Sequence, residues 1–173
     1  MDTSTPLMRV HNLTHAFGRV LACADVSFEL HSGEVLGVVG ESGSGKTTLL
    51  NCISARLAPT NGIVEYDLRG RGLTDIYALS EPERRLLLRT DWGVVMQNPR
   101  DGLRMDVSAG GNVGERLMAV GARHYGAIRR EAEDWLSKVE LDLGRTDDKP
   151  KHFSGGMQQR LQIARNLVTK PRL

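Results

Sequence analysis

The 173-residue chain has almost no cysteine: Cys23 and Cys52 stand far apart and form no CxxC pattern. That excludes a disulfide framework and a cysteine-built zinc site, and it suits a reducing cytoplasm. Aromatic residues make up only 5% of the chain. No apolar run approaches the roughly 20 residues that a membrane-spanning helix needs; the longest compact stretch is Val35–Val39. Met1 to Pro6 carry neither a basic cluster nor an apolar run, so neither a secretory signal nor membrane insertion is expected. A surplus of one charge is missing too. Lys and Arg total 23 against 21 Asp and Glu, a net charge of +2, which argues against a charge-driven nucleic-acid binder. His11 and His15 are spaced i, i+4 but fall in a strand-like stretch, where that spacing does not build a metal site.

What the chain does have is 40% hydrophobic residues, 25% charged residues and 19 glycines. The first two figures describe a globular domain. Residues 1–7 read as a loose tail, 8–100 as a β-rich part and 101–160 as a helical part. Met8–His15 and Ala24–Leu30 alternate like strands; Val26, Phe28 and Leu30 share one face. Val35–Val39 is apolar without alternation, the pattern of a strand buried on both faces of a parallel sheet. Trp92–Met96 reads the same way. A helix is expected from Thr47 to about Arg56, and another after Ser80, with Ser80 and Glu83 as a capping box. Further helices are expected at 113–120 and 125–139. In the latter, Ile128, Ala132, Trp135, Leu136 and Val139 form one apolar stripe. A last helix opens near Ser154 and stops before Pro171.

Between Val39 and that first helix lies Gly40-Glu41-Ser42-Gly43-Ser44-Gly45-Lys46-Thr47, a full match to GxxxxGK[ST]. Each piece has a physical use. Glycines let the chain wrap a phosphate without Cβ clashes, and successive N–H groups then point inward as an anion nest. The following helix adds its positive end. Lys46 is placed for the β- and γ-phosphates, the Thr47 hydroxyl for Mg²⁺, and Thr48 for the α-phosphate. Far along the chain, Ser154-Gly155-Gly156-Met157-Gln158 sets a second glycine pair at a capped helix start, another possible anion site.

A phosphate loop followed about a hundred residues later by that second motif resembles the ATP-binding cassette (ABC) ATPases. The resemblance implies an α/β fold of the P-loop nucleoside triphosphate hydrolase class, an ABC-type cassette with a β-rich N-terminal part and a helical subdomain. It implies ATP and Mg²⁺ as ligands. Ser154 to Gln158 then correspond to the family's signature motif, which acts in trans across a head-to-tail dimer. Gln97 corresponds to the glutamine that meets Mg²⁺ and the attacking water, and Phe17 to the aromatic that stacks on adenine. Arg89–Val95, Asp101–Arg104, Val107–Met118, Arg123–Gly126 and Phe153–Thr169 further resemble the ATP-binding components of bacterial phosphonate carbon–phosphorus (C–P) lyase systems. That implies an accessory ATPase docked on soluble lyase core subunits. Peptide and nickel importers share the cassette motifs and are the alternative, with an inactive fragment as a third reading.

The family's pattern continues past the signature helix into an apolar strand ending in Asp-Glu, and later a His. The chain ends at Leu173, so the expectation is a C-terminally incomplete cassette with hydrolysis near background. Val35–Val39 would then lack strand partners and leave apolar surface bare.

Overall fold

The computed structural model describes residues 5–173; Met1 to Ser4 of the expected tail lie outside them. The chain divides into two compact units, one up to Arg85 and the other Leu86–Leu173.

The first unit is built on a four-stranded antiparallel sheet, ordered β2-β1-β3-β4. Its strands are β1 (Met8–Phe17), β2 (Val20–Leu30), β3 (Asn61–Leu68) and β4 (Gly72–Asp75). Leu7 already belongs to it: it is 4% exposed and its N–H donates to Leu30 O at 2.8 Å. Strict alternation would put Met8, Val10 and Asn12 on one face of β1, but it holds only to Val10. Asn12 takes φ 49° and Asp25 opposite takes φ 51°, a bulge in the β1–β2 pairing. One extra residue reverses the alternation, so Leu13 and His15 turn inward. Asn12 Nδ2 donates to Asp25 Oδ1 at 2.6 Å and closes the bulge.

The helix after the glycine-rich loop is α1 (Lys46–Ile53), packed on β1 and β2. Leu49 and Cys52 are its buried residues. The Tyr77 hydroxyl lies 2.6 Å from Cys52 O and 2.6 Å from Leu57 O, pinning the helix's C-terminal end. Helix α2 (Glu81–Thr90) starts in the first unit and ends in the second. One half of the expected capping box forms: Glu83 Oε2 accepts from Ser80 N at 3.0 Å, and the Ser80 hydroxyl also donates to it at 2.6 Å.

The second unit packs α3 (Ala109–Ala119), α4 (Tyr125–Lys138) and α5 (Gly155–Leu167) on one another. Val113, Ala132, Leu136, Leu161, Ala164 and Val168 form its core. Asn112 is wholly buried at the hub of the loop before α3. Its side chain accepts from Arg104 N at 2.8 Å and donates to Arg104 O, Val107 O and Ser108 O.

Two expected strands are corrected. Val35–Val39 forms no strand, and Val35 and Val39 are 95% and 91% exposed. Trp92–Met96 forms no strand either, although Trp92 is buried. Apolar content licenses burial, but a strand exists only where a neighbour completes its backbone hydrogen bonds. Among the described residues Val35–Val39 has no ladder, and in Trp92–Met96 one backbone bond, Gly93 N to Leu173 O at 2.7 Å, stands beside N–H groups of Val94 and Met96 that go to side chains. The bare apolar surface expected at 35–39 is present.

Candidate functional site

The glycine-rich loop is held against the sheet at Gly45, the residue that caps α1, with φ 88°. A Cβ at that position would lie 1.9 Å from Ala22 O of β2. Only a residue without a side chain fits both the dihedral and the space. Gly43, at φ 84°, makes the preceding turn. Ser44 N donates to Glu41 O at 3.2 Å, and Leu49 N to Gly45 O at 2.9 Å, so the loop runs directly into the helix. The Lys46 ammonium curls over the loop. It donates to Gly40 O at 2.9 Å, to Glu41 O, and to Ser44 Oγ at 3.2 Å. A cation therefore stands within the ring of loop residues, at the positive end of α1. Glu41, Ser42 and Thr47 are exposed, and Thr48 is half-buried.

Phe17 ends β1 and is 55% exposed. Its ring meets the buried His15 edge-on, with centroids 4.6 Å apart and planes at 73°. Behind the loop, Cys52 faces the core. Burial, and then the nearby Cys23, push its thiol up to about 11, so at neutral pH it is an uncharged packing group.

In the second unit, Gln97 is exposed and directly precedes a 3-10 turn, Pro99–Asp101, capped by Asn98. The backbone around it is gripped by α5. Met96 N donates to Gln162 Oε1 at 2.8 Å, and Val94 N to Asn166 Oδ1 at 3.2 Å. Sequence reasoning assigned neither residue a role. The only signal was two amides at i, i+4 on a helix whose other side is apolar.

Ser154 caps α5, accepting from Met157 N at 3.3 Å, and Ser154, Gly155 and Gly156 are exposed. The other two residues of the motif turn inward. Met157 is half-buried, with Arg145 Nη1 3.5 Å from its sulfur. Gln158 is 6% exposed and donates to Pro150 O at 2.9 Å and Phe153 O at 3.2 Å. Its amide closes the turn that presents Ser154. Arg145 stacks on the Phe153 ring at 4.7 Å and bonds His152 O, bracing the same turn. The exposed edge of the motif is thus Ser154 to Gly156.

Oxygen donors such as the Thr47 hydroxyl and the Gln97 amide suit a hard cation like Mg²⁺, and the loop with Lys46 suits a polyphosphate. The donor types fit the expected ligands, one set in each unit. No helix is long and apolar enough to cross a membrane among the described residues.

Residues 23–173 match the ABC transporter family. The chain is 63% identical over 168 residues to the phosphonates utilization ATP-binding protein PhnK of Escherichia coli strain K12, covering 97% of this chain and 65% of that protein. It is 36% identical to the oligopeptide transport ATP-binding protein OppD of Salmonella typhimurium, covering 96% of this chain and 51% of OppD. Among solved structures, the ATP-binding cassette MJ0796, a dimer bound to ADP and Pi, superposes with a TM-score of 0.83 at 32% identity. That alignment covers 95% of this chain and 70% of the MJ0796 chain. By sequence and by fold, the chain belongs to the ATP-binding cassette family, whose members hydrolyse ATP.

Proposed function

We propose that this chain is the Mg·ATP-binding part of an accessory ATPase serving phosphonate C–P bond cleavage in the cytoplasm. The observation that carries the phosphonate reading is the 63% identity to PhnK, sustained over 97% of the chain. Oligopeptide-importer ATPases match over a similar span at lower identity, and they keep the importer reading as the alternative.

The chemistry proposed for the residues follows from their match to the family's motifs. Backbone N–H groups from Gly40 to Thr47 receive the β- and γ-phosphates, and Lys46 exchanges its carbonyl partners for phosphate oxygens. Thr48 faces the α-phosphate, and Phe17 offers its ring to adenine. Thr47 and Gln97 would hold Mg²⁺, which when bound neutralises charge on the terminal phosphates. Gln97 also orients the attacking water. Ser154, Gly155 and Gly156 of a second cassette close over the γ-phosphate in a head-to-tail dimer. That contact turns substrate binding into a condition for turnover, because positioning supplies most of the catalysis in phosphoryl transfer.

Two measurements test this reading. Titration of ATP by calorimetry should show affinity that falls at least tenfold in Lys46→Ala; unchanged affinity in a folded sample would end the nucleotide assignment. Co-purification with soluble lyase subunits supports the phosphonate reading, and recovery with a membrane permease transfers the chain to the importer class. The Val107–Met118 segment, which supplies most of α3, is where the two partners would be told apart by substitution.

A further inference from the structure

We propose that Gln162 is a positioning residue for Gln97, tying the loop that carries it to the helix that opens at the signature turn. The inference rests on the reading that Gln97 engages Mg²⁺. Gln162 sits in the middle of α5 and is wholly buried. Its amide straddles Gln97. On one side Oε1 accepts from Met96 N at 2.8 Å, and on the other Nε2 donates to Pro99 O at 3.4 Å. A buried amide that satisfies backbone groups on both sides of two exposed residues, Gln97 and Asn98, anchors at each end the short segment that carries them.

Two neighbouring features make the link specific. Asn166, one turn further along α5, accepts from Val94 N at 3.2 Å and donates to Gln162 O at 2.9 Å, so the helix grips the approach to the loop as well. Gly102 closes the far side. A Cβ there would lie 2.0 Å from Gln162 Nε2. Gly102 has φ −108° and ψ −7°, a conformation open to any residue. Space for the Gln162 amide, not backbone freedom, is therefore what glycine provides at this position.

The consequence is mechanical. Gln162 lies eight residues after Ser154, about 12 Å along a helix that rises about 1.5 Å per residue. The exposed Ser154–Gly156 edge and the Gln97 loop thus belong to one rigid piece. A displacement of the signature turn reaches Gln97 through α5 and this side-chain amide.

The test compares Gln162→Met, which keeps the side chain's length and removes both hydrogen bonds, with Gly102→Ala, which crowds the amide without altering α5. Affinity for a fluorescent ATP analogue is measured in EDTA and across a Mg²⁺ titration, alongside thermal unfolding. Groups behind a metal ligand typically change metal affinity about 10–100-fold. The expected result is at least a tenfold rise in the Mg²⁺ concentration needed for half-maximal tightening in Gln162→Met and Gly102→Ala. Affinity in EDTA stays at the wild-type value, and adding Gln162→Met to Gln97→Ala costs nothing further.

If Gln97→Ala loses the Mg²⁺ response while Gln162→Met and Gly102→Ala keep it, the positioning role is wrong and the role of Gln97 stands. Equal losses with and without Mg²⁺ reduce Gln162 to a packing residue and overturn the proposal. Should Gln97→Ala itself keep the response, the reading of Gln97 fails and this inference falls with it.

Discussion

The α-carbon of Gly45 stands against the carbonyl of Ala22 so closely that a methyl group on it would lie 1.9 Å from that oxygen. This contact fixes the glycine-rich loop to β2, and with it the direction in which α1 presents its N-terminal N–H groups.

Gly45→Ala must therefore either move β2 or move the loop. The left-handed conformation alone costs about 1–2 kcal/mol for a residue with a Cβ, and the clash adds to it. The expected outcome is a destabilisation of about 2 kcal/mol or more in urea unfolding, with nucleotide affinity lost in whatever remains folded. Wild-type stability would show that the loop is free of the sheet.

The adenine contact proposed for the exposed ring of Phe17, which His15 meets edge-on, can be tested separately from the phosphate contacts. Phe17→Ala should weaken ATP and ADP by about 1–2 kcal/mol, the scale of one aromatic–base stack. It should leave inorganic tripolyphosphate binding at the wild-type value. Equal losses for the three ligands would remove Phe17 from the base site.

A pH dependence follows from Glu83. The Ser80 hydroxyl first, then Arg71 and the Ser80 N–H, hold its carboxyl down at about 2. An unfolded Glu titrates near ~4.3, so the folded state binds the proton less tightly. The stabilisation is complete above that unfolded value and drains away as the pH falls toward 2. Thermal melts between pH 6 and pH 2 should fall more steeply for the wild type than for Glu83→Gln. Parallel curves would show that the capping box does not form in solution.

Val35 and Val39, almost wholly exposed, make the 35–39 segment a sticky surface. Val35→Lys with Val39→Thr should change the thermal midpoint by less than about 2 °C, since surface substitutions usually stay within ~0.5 kcal/mol. The same pair should raise the concentration at which light scattering reports self-association. A large loss of stability would mean the segment is covered in solution.

The parts of the chain that could be read without coordinates are those whose bonds are local. The loop from Gly40 to Thr47 is eight consecutive residues, and the helices at 125–138 and 155–167 close their hydrogen bonds four residues back. Ser80 and Ser154 reach only three residues ahead to cap. The bulge at Asn12 was not legible, because it depends on what Asp25 and Ser27 do across the ladder. Gln158 was read with its motif as acting in trans, yet its amide serves carbonyls of the turn before it.

By itself, then, the sequence determined the phosphate loop, the caps, the helices and the family they belong to. Tertiary structure decided that two apolar segments form no strand, that Gln158 points inward, and that Gln162 grips a loop 63 to 66 residues earlier in the chain. The division has one cause. A helix or a nest of N–H groups finds its partners within a few residues, whereas a strand or a buried amide is completed only by groups that folding brings from far away.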